Sequence, residues 1–296
     1  VTFGGNLMIQ RRTKMNASAG ELLVPNLFSL NNGINKPTVT SELIRRKMNS
    51  LYGSLQLNWD GYLFLDITAR NDWSSTMSKA NRSYFYPSVS LSGVISDMVP
   101  KLGGQMPEWF TFAKVRASYA EVGNDLDPYQ LYNNFTVGKD ENGNTTAAPG
   151  NVLYDSSVRS ELIKSWEAGF DIRFFNNRLG LDAAWYKTNA TRQLLNLPMD
   201  PFSGYSSRKV NAGNIQNEGV EISLNGLILD NPKGLSWNST AQFSLNRNKI
   251  IDLYPGVTLY DIKTLDAIQI VAVQGSYYGD IYGQTFQRVE DKNDPN

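Results

Sequence analysis

Residues 82–96, RSYFYPSVSLSGVIS, contain the stretch that decides the fold class. From Pro87 onward, hydroxyl side chains alternate strictly with apolar or small ones: Ser88, Ser90 and Ser92 with Val89, Leu91 and Gly93. A period of two predicts a β-strand with one apolar and one polar face. Such a strand occurs in a soluble antiparallel sheet that rests on a core. It also occurs in the wall of a membrane β-barrel, with lipid outside and a polar lumen inside.

The same alternation recurs along most of the chain. The segments that share it are 51–58, 62–70, 111–120, 165–174, 179–186, 220–225 and 237–246. No segment has a convincing helical period. Only 21–28 (ELLVPNLF) and 261–271 (DIKTLDAIQIV) are candidates for short helical or irregular pieces. The sequence therefore predicts an all-β protein with antiparallel strands, about nine or ten in number.

The predicted connections alternate in length, which favours a barrel over a sandwich. Asp60-Gly61, Asn176-Asn177 and 231–234 (NPKG) are short turns, and 97–109 is a connection of medium length. The longer, polar connections are 14–42, 73–82, 123–161, 192–209 and 250 onward. Up-and-down transmembrane barrels have short periplasmic turns and long outer loops. A Greek-key sandwich has no reason to sort its connections in this way.

Aromatic residues lie at the ends of the predicted short turns. They are Trp59, Tyr62, Trp109, Phe110, Phe174, Phe175 and Trp237. Aromatics favour strands in general, but their repetition at one end of successive hairpins indicates an interfacial girdle. On this interpretation Val89 and Leu91 face lipid, whereas Ser88, Ser90 and Ser92 face the lumen.

Composition excludes several classes of function. Lys+Arg and Asp+Glu both number 28, so the net charge is zero, which argues against a nucleic-acid partner. The absence of Cys and His excludes Cys–His zinc sites and histidine-based triads. The sequence contains no run of 18 apolar residues, so no transmembrane helix is predicted. We expect no cofactor, no metal and no enzymatic activity.

Five long stretches resemble SusC/RagA-type TonB-dependent outer-membrane transporters of Bacteroidota. They are ITARNDWSSTM (67–77), NRSYFYPSVSLS (81–92), FAKVRASYAEVGND (112–125), IKSWEAGFDIRFFNNRLGLDAAWYKTNATRQLL (163–195) and GYSSRKVNAGNIQNEGVEISLNG (204–226). The stretches follow one another in the family's order and cover most of 43–249. Because the motifs are long and ordered, the resemblance is specific.

The resemblance implies a barrel of about 22 strands with a plug in its lumen. It implies import of oligosaccharides or peptides, driven by the inner-membrane TonB complex, with a SusD-like surface lipoprotein as a lid. Residues 1–296 are then expected to be part of an outer-membrane barrel domain, in contact with lipid. The plug and the C-terminal strands are expected to lie outside this chain, and the TonB complex would act through that plug.

Two groups of residues are candidates for contact with a substrate. The first lies where a strand enters an outer connection and comprises Asn71, Asp72, Trp73, Arg82 and Tyr84. Its rings could stack on sugars and its polar groups could bond hydroxyls, although a hydrogen-bond cluster that closes the loop is the alternative. The second is the set of lumen-facing charges, Asp66, Glu167, Asp171, Arg173 and Asp182. These could set selectivity, form cross-strand ion pairs or contact the plug.

Two acidic groups favour structural interpretations. Asp125 and Asp127 could bind a cation or act in glycoside hydrolysis, but their position before Pro128 is typical of a turn. Glu290, Asp291 and Asp294 loosely suggest a calcium loop. The EF-hand spacing and its glycine are missing, which favours a solvated loop.

Two other functions share some of these features. A passive porin or structural outer-membrane barrel would have the same strands, without an energised gate. A soluble β-rich binding or glycan-hydrolysing domain would need one face of each strand to form a shared core. The alternating connection lengths argue against this third hypothesis.

Overall fold

The computed structural model describes residues 1–284. Within them the strands are β1 (Thr2–Ser18), β2 (Thr38–Trp59), β3 (Leu63–Ser74), β4 (Ser83–Val94), β5 (Phe110–Asn124), β6 (Phe135–Lys139), β7 (Thr145–Pro149), β8 (Val152–Leu153), β9 (Glu161–Phe174), β10 (Leu179–Pro198), β11 (Ser207–Leu229), β12 (Trp237–Asp252), β13 (Leu259–Leu265), β14 (Ile268–Val273) and β15 (Tyr278–Gly283). One α-helix, α1 (Ile95–Lys101), and 3-10 turns at Leu30–Asn32 and Pro201–Ser203 complete the elements.

One large antiparallel sheet forms the wall. Its ten strands run in the order β1-β2-β3-β4-β5-β9-β10-β11-β12, with the two-residue β8 attached in parallel to β11. Every long strand pairs with its neighbour along the chain, except where 125–160 separates β5 from β9. The prediction of an all-β, up-and-down antiparallel barrel segment is confirmed. In the described residues the sheet is open, with β1 and β12 at its two edges.

The short turns have the backbone that their sequences predict. Asp60 and Gly61 both have positive φ, 51° and 76°, as a tight two-residue hairpin requires. Asn176 and Asn177 also have positive φ, and the amide of Gly234 donates to the Asn231 carbonyl oxygen at 3.0 Å. All three connections lie at the same end of the sheet because the strands alternate in direction.

Two predicted segments are wrong. The stretch 261–271 is not helical, since it belongs to the hairpin β13–β14, which pairs with β15 in a separate three-stranded sheet. The stretch 192–209 is mostly not a loop, because β10 and β11 stay paired as far as Pro198 and Ser207. This part of the hairpin was missed because polar residues such as Asn196 and Arg208 interrupt the alternation of apolar residues.

Helix α1 was not predicted. It is too short to show a helical period, and its signals are Asp97 in the first turn, Lys101 in the last turn and Gly103 at φ 84° just beyond. The Lys101 ammonium contacts the Asp60 carboxylate at 3.0 Å and lies 5.6 Å from the centre of the Tyr62 ring. The helix thereby links the β4–β5 connection to the β2–β3 turn.

Apolar side chains are distributed as in a membrane wall. The buried hydrophobic clusters lie in and beside the longer connections: one contains Met77, Leu126, Leu131 and Val158, another contains Leu197, Val210 and Ala212, and a third contains Ile250, Leu253 and Ala272. On the wall itself large apolar residues are exposed, including Leu51 at 61% and Phe243 at 58%. A soluble sheet would bury this face on a core.

Strand β9 shows the height of the apolar band. Its outward residues run from Phe174, which stacks on Trp109, to Trp166, whose ring centre lies 4.4 Å from that of Tyr119. Beyond Trp166 the same face carries Lys164, 3.5 Å from the Glu121 carboxylate. Eight residues span about 26 Å along a strand, or about 20 Å when the strand is tilted. That height fits the apolar band of outer-membrane barrels.

In residues 1–284 no helix has the length and apolarity to cross a bilayer.

Candidate functional site

The polar face of the sheet is continuous across the strands. The register places Asp66 opposite Ser90, Ser90 opposite Ser118, and Ser118 opposite Glu167. Asp171 lies opposite Asp182 on the next strand. The five charges predicted to face the lumen, Asp66, Glu167, Asp171, Arg173 and Asp182, therefore share one face. Exposed apolar residues such as Val89, Leu91 and Phe243 share the other.

Arg116 is the centre of this polar face. Its Nη1 and Nη2 donate to the two Asp182 carboxylate oxygens at 2.9 and 3.1 Å, and its Nε lies 3.7 Å from Glu167. Arg116 and Asp182 lie on strands β5 and β10, with β9 between them. A bidentate arginine–carboxylate pair fixes both groups, so three strands are joined across the face.

Gly169 permits this bridge. A Cβ atom at Gly169 would lie 2.8 Å from the Ala183 carbonyl oxygen and 3.0 Å from Arg116 Cζ, so the guanidinium crosses β9 where no side chain exists. Gly219 serves Tyr186 in the same way, because a Cβ there would lie 2.5 Å from the phenol oxygen. Neither role was predicted from the sequence.

Replacing Gly169 with valine should therefore expel the Arg116 side chain and lower the free energy of unfolding by about 1–3 kcal/mol. Denaturant unfolding of the complete protein in lipid vesicles would measure the loss. Gly180→Val is the matched control, since the nearest atoms to a Cβ at Gly180 are 4.0 Å away. Equal losses in both variants would show that Arg116 does not need the gap.

Asp171 and Arg173 pair along one strand, at 2.9 Å. The expected cross-strand ion pairs are those of Arg116 with Asp182 and Glu167, whereas Asp171 and Arg173, within residues 1–284, pair only with each other. The Arg173 guanidinium also lies 4.8 Å from the centre of the Phe112 ring. Asp66 forms no ion pair with another residue in the described part of the chain.

A polar groove of about 880 Å³ lies on this face between β5 and β12. Its charged and amide lining comprises Arg116, Glu167, Asp182, Glu221 and Gln242. Hydroxyl groups of Ser118, Ser165, Tyr186, Thr188, Ser223 and Ser244 also line the groove. Such a groove offers hydrogen-bond donors and acceptors together with positive and negative charges, which suits a polar ligand or a polar protein surface.

The first candidate cluster is divided between two faces. Asp72 and Tyr84 lie opposite each other on the polar face. Asn71 and Trp73 lie on the apolar face near the loop end, where Trp73 and Arg82 line a common depression. The five residues therefore do not converge on one ligand. Substrate contact remains a prediction for Asp72 and Tyr84 on the polar face.

Asp72 is held by its neighbours. Arg70 Nε donates to Asp72 Oδ1 at 2.8 Å, and the Tyr86 hydroxyl donates to Oδ2. Arg70 also donates to Ser50 Oγ at 3.0 Å, and Tyr86 stacks on Tyr84 with ring centres 6.0 Å apart. These contacts fix the aromatic rings at the outer end of the polar face.

Asp125 is a buried anchor for the outer connections. Its side chain is 2% exposed and pairs with Arg46 from β2. Ser74 and Thr76 donate to its second oxygen, Thr76 at 2.7 Å. Asp125 directly follows β5 and precedes the turn at Pro128, and the turn interpretation missed its role as an anchor. No metal-ligating cluster forms in residues 1–284. Glu290, Asp291 and Asp294 lie outside the described residues.

A second ion pair secures the connection 125–160. Arg208 Nη2 lies 2.7 Å from Asp155 Oδ2. The Ser157 backbone amide and side chain, together with Arg208, lower the pKa of Asp155 to about 2 from an ordinary value of 3.8. Because this pKa is depressed in the folded protein, the pair stabilises the loop above about pH 4. The contribution is lost as the pH falls towards 2.

Reasoning from the sequence missed Arg116, Arg46 and Tyr186. The alternation in 112–120 already put Arg116 on the polar face with Lys114 and Ser118. Nothing local indicated which of these would reach Asp182, because that choice depends on Gly169 of the intervening strand.

An exposed apolar band, aromatics at both of its ends and a polar inner face together define the wall of an outer-membrane β-barrel. A family model described as "TonB dependent receptor-like, beta-barrel" matches residues 10–289. The chain belongs to this family, and the resemblance to the SusC/RagA type is confirmed.

Curated relatives support the assignment. TonB-dependent receptor P3 of Formosa agariphila is 28% identical over 84% of this chain and 25% of its own length. TonB-dependent receptor P26 of the same organism is 30% identical over 76% of this chain and 22% of its own length. TonB-dependent receptor SusC of Bacteroides thetaiotaomicron is 25% identical over 73% of this chain. The chain spans about a quarter of the length of these relatives.

Among solved structures, that of the RagAB peptide transporter superposes with a TM-score of 0.80 at 23% identity. The superposition includes 94% of this chain and 30% of the transporter chain. At this identity the likeness shows the fold alone. The chain thus shares its fold with part of that peptide transporter.

Proposed function

We propose that the protein takes part in TonB-dependent nutrient import across the bacterial outer membrane. The observation that carries the proposal is the continuous polar face with its groove of about 880 Å³, opposite an exposed apolar face. Such a face would line the path of a polar solute, and its paired charges would also suit contact with a plug. The match to the TonB-dependent receptor-like barrel family supports energised gating.

The substrate class in this proposal is an oligosaccharide or a peptide. Mixed charges and hydroxyls, with tyrosines at the outer end, suit either polar polymer. SusC is similar to this chain in sequence, and the RagAB peptide transporter is similar to it in structure. Their likeness motivates testing both substrate classes.

The proposed partners are a SusD-like surface lipoprotein and the TonB complex. The outer connections carry their own buried clusters, so they present a shaped surface on which a lid would rest. The chain itself would contact the lipid and the lid, whereas TonB would act through a plug. No catalytic role is proposed.

The complete protein, extracted in mild detergent from its native membrane, tests the proposal by native mass spectrometry and planar-bilayer conductance. We expect a co-purifying lipoprotein and a closed channel, because a plug blocks the lumen. Uptake of labelled oligosaccharide and peptide pools by cells should stop when a protonophore removes the energy source. An open channel with no lipoprotein and energy-independent uptake would establish the passive porin instead.

A further inference from the structure

A cationic depression lies on the apolar face, at the loop end of β2 and β3. Its volume is about 560 Å³, and its lining includes Lys47, Asn49, Trp73, Lys79 and Arg82. The register places Asn49 opposite Trp73. Because side chains alternate between faces, Lys47, Asn49 and Trp73 point to the same side as Leu51, away from the polar groove. Lys79 and Arg82 lie in the connection after β3 and line the same depression.

The charge of this depression is of one sign. Lys47, Lys79 and Arg82 are exposed, and no acidic residue lines the depression. None of the three forms an ion pair with another residue among positions 1–284. On the neighbouring rungs Arg45 lies opposite Arg11, which extends the positive surface. Clustered cations without acidic partners favour an anionic ligand.

The backbone around the depression is fixed. The Lys47 amide donates to Ser75 Oγ at 2.9 Å, and the Ser75 amide donates to the Lys47 carbonyl oxygen at 2.9 Å. The Ser74 amide donates to the Arg82 carbonyl oxygen at 3.0 Å. Met77 is buried in a hydrophobic cluster. The connection 75–82 is therefore held against β2, and its two cations stay beside Lys47.

An apolar groove of about 650 Å³ lies next to the depression on the same face. Its lining includes Phe3, Leu51, Leu55, Ile67 and Phe85, around the small residue Ala69. The Phe3 ring covers Gly53, since a Cβ atom there would lie 3.2 Å from Phe3 Cδ1. Leu51 lies four residues beyond Lys47, so the groove begins about 13 Å along β2 from that cation. The groove runs towards the middle of the apolar band, and the cations lie at its outer boundary.

We propose that the depression and the groove together bind a phosphate-bearing lipid of the outer leaflet. The phosphate contacts Lys47, Lys79 and Arg82, and an acyl chain lies over Ala69, beside the Phe3 ring. Trp73 lies between the two parts, at the level where aromatic rings meet lipid headgroups. A soluble anion would use only the cations. A lipid satisfies both the charge and the apolar surface, and its binding does not depend on what the barrel imports.

Lipid titration of the complete, delipidated protein tests the proposal by native mass spectrometry. The probes are diphosphoryl lipid A and monophosphoryl lipid A with the same acyl chains. We expect tighter binding of the diphosphoryl form. Each cation near a membrane surface contributes about fivefold, so K47Q/K79Q/R82Q should weaken binding on the order of 100-fold. The three side chains are exposed, and Lys47 holds the loop through its backbone, so the variant should fold normally.

The control K36Q/K139Q/K263Q removes the same charge from other exposed positions and should leave binding unchanged. Ala69→Phe fills the groove and should weaken lipid binding about tenfold, without changing the charge. Equal binding by the triple variant and the natural protein would overturn the proposal. Displacement of the lipid by excess inorganic phosphate would also overturn it, because the site would then recognise an anion and not a lipid.

Discussion

Replacing Val89 with arginine should lower the free energy of unfolding of the complete barrel by about 1–3 kcal/mol. Val89 lies near the middle of β4, opposite Ile67 and Tyr119, on the exposed apolar face. In a bilayer an arginine there would place its charge against acyl chains, next to Tyr119 on the neighbouring strand. Unfolding by guanidinium in lipid vesicles, followed by tryptophan fluorescence, would measure the difference.

Ser90→Arg is the matched control. It adds the same side chain one residue further along, on the opposite face, where Ser90 lies between Asp66 and Ser118. Near Asp66 the added charge gains a partner in a wet environment, so we expect a change below about 1 kcal/mol. Similar losses for the two variants would contradict the assignment of lipid and lumen faces.

Replacing Asp125 with asparagine should release the outer connections from the wall. The change leaves the Arg46 guanidinium without its partner and weakens the bonds from Ser74 and Thr76. Breaking a fully buried pair costs about 3–5 kcal/mol, and the partial exposure of Arg46 reduces this to about 2 kcal/mol. Amide exchange in 75–82 and proteolysis within 125–160 should therefore accelerate about 30-fold.

Asp127→Asn is the control for this variant. Asp127 is two residues away and exposed, so its substitution removes the same charge without touching the buried contacts. We expect amide exchange and proteolysis to stay close to those of the natural protein. If the two variants behave alike, the loops are held by their hydrophobic clusters and not by Asp125.

The wall could be predicted from the sequence because its signal is local. The alternation of Ser88, Ser90 and Ser92 with Val89 and Leu91 specifies which residues share a face, whatever the strand pairs with. Turn residues such as Asp60-Gly61 adopt their backbone through short-range sterics. The order of strands then followed from adjacency along the chain.

The outer hairpins could not be predicted in the same way. The segments 192–209 and 261–271 lack apolar alternation because both faces of these strands meet other loops or water. Their pairing depends on contacts between distant residues, such as Tyr260 with the buried cluster around Leu197. Helix α1 was missed because a seven-residue helix has too few turns to show a period.

The candidate site shows the same limit. Asn71, Asp72 and Trp73 are consecutive, so proximity in the sequence suggested a single cluster, but alternation sends Asp72 to one face and its neighbours to the other. The residues that do meet are far apart in the chain. Arg46 pairs with Asp125 across 79 positions, and Arg116 pairs with Asp182 across 66.

The sequence alone determined the fold class, the two faces of each strand and the short turns, because these depend on neighbours within a few residues. Tertiary structure decided which charges pair, which loops fold over the wall and where cations meet an apolar groove. Those outcomes depend on the register between strands and on the space left by residues such as Gly169 and Gly219. A side chain's partner is set by three-dimensional distance, which the local pattern does not encode.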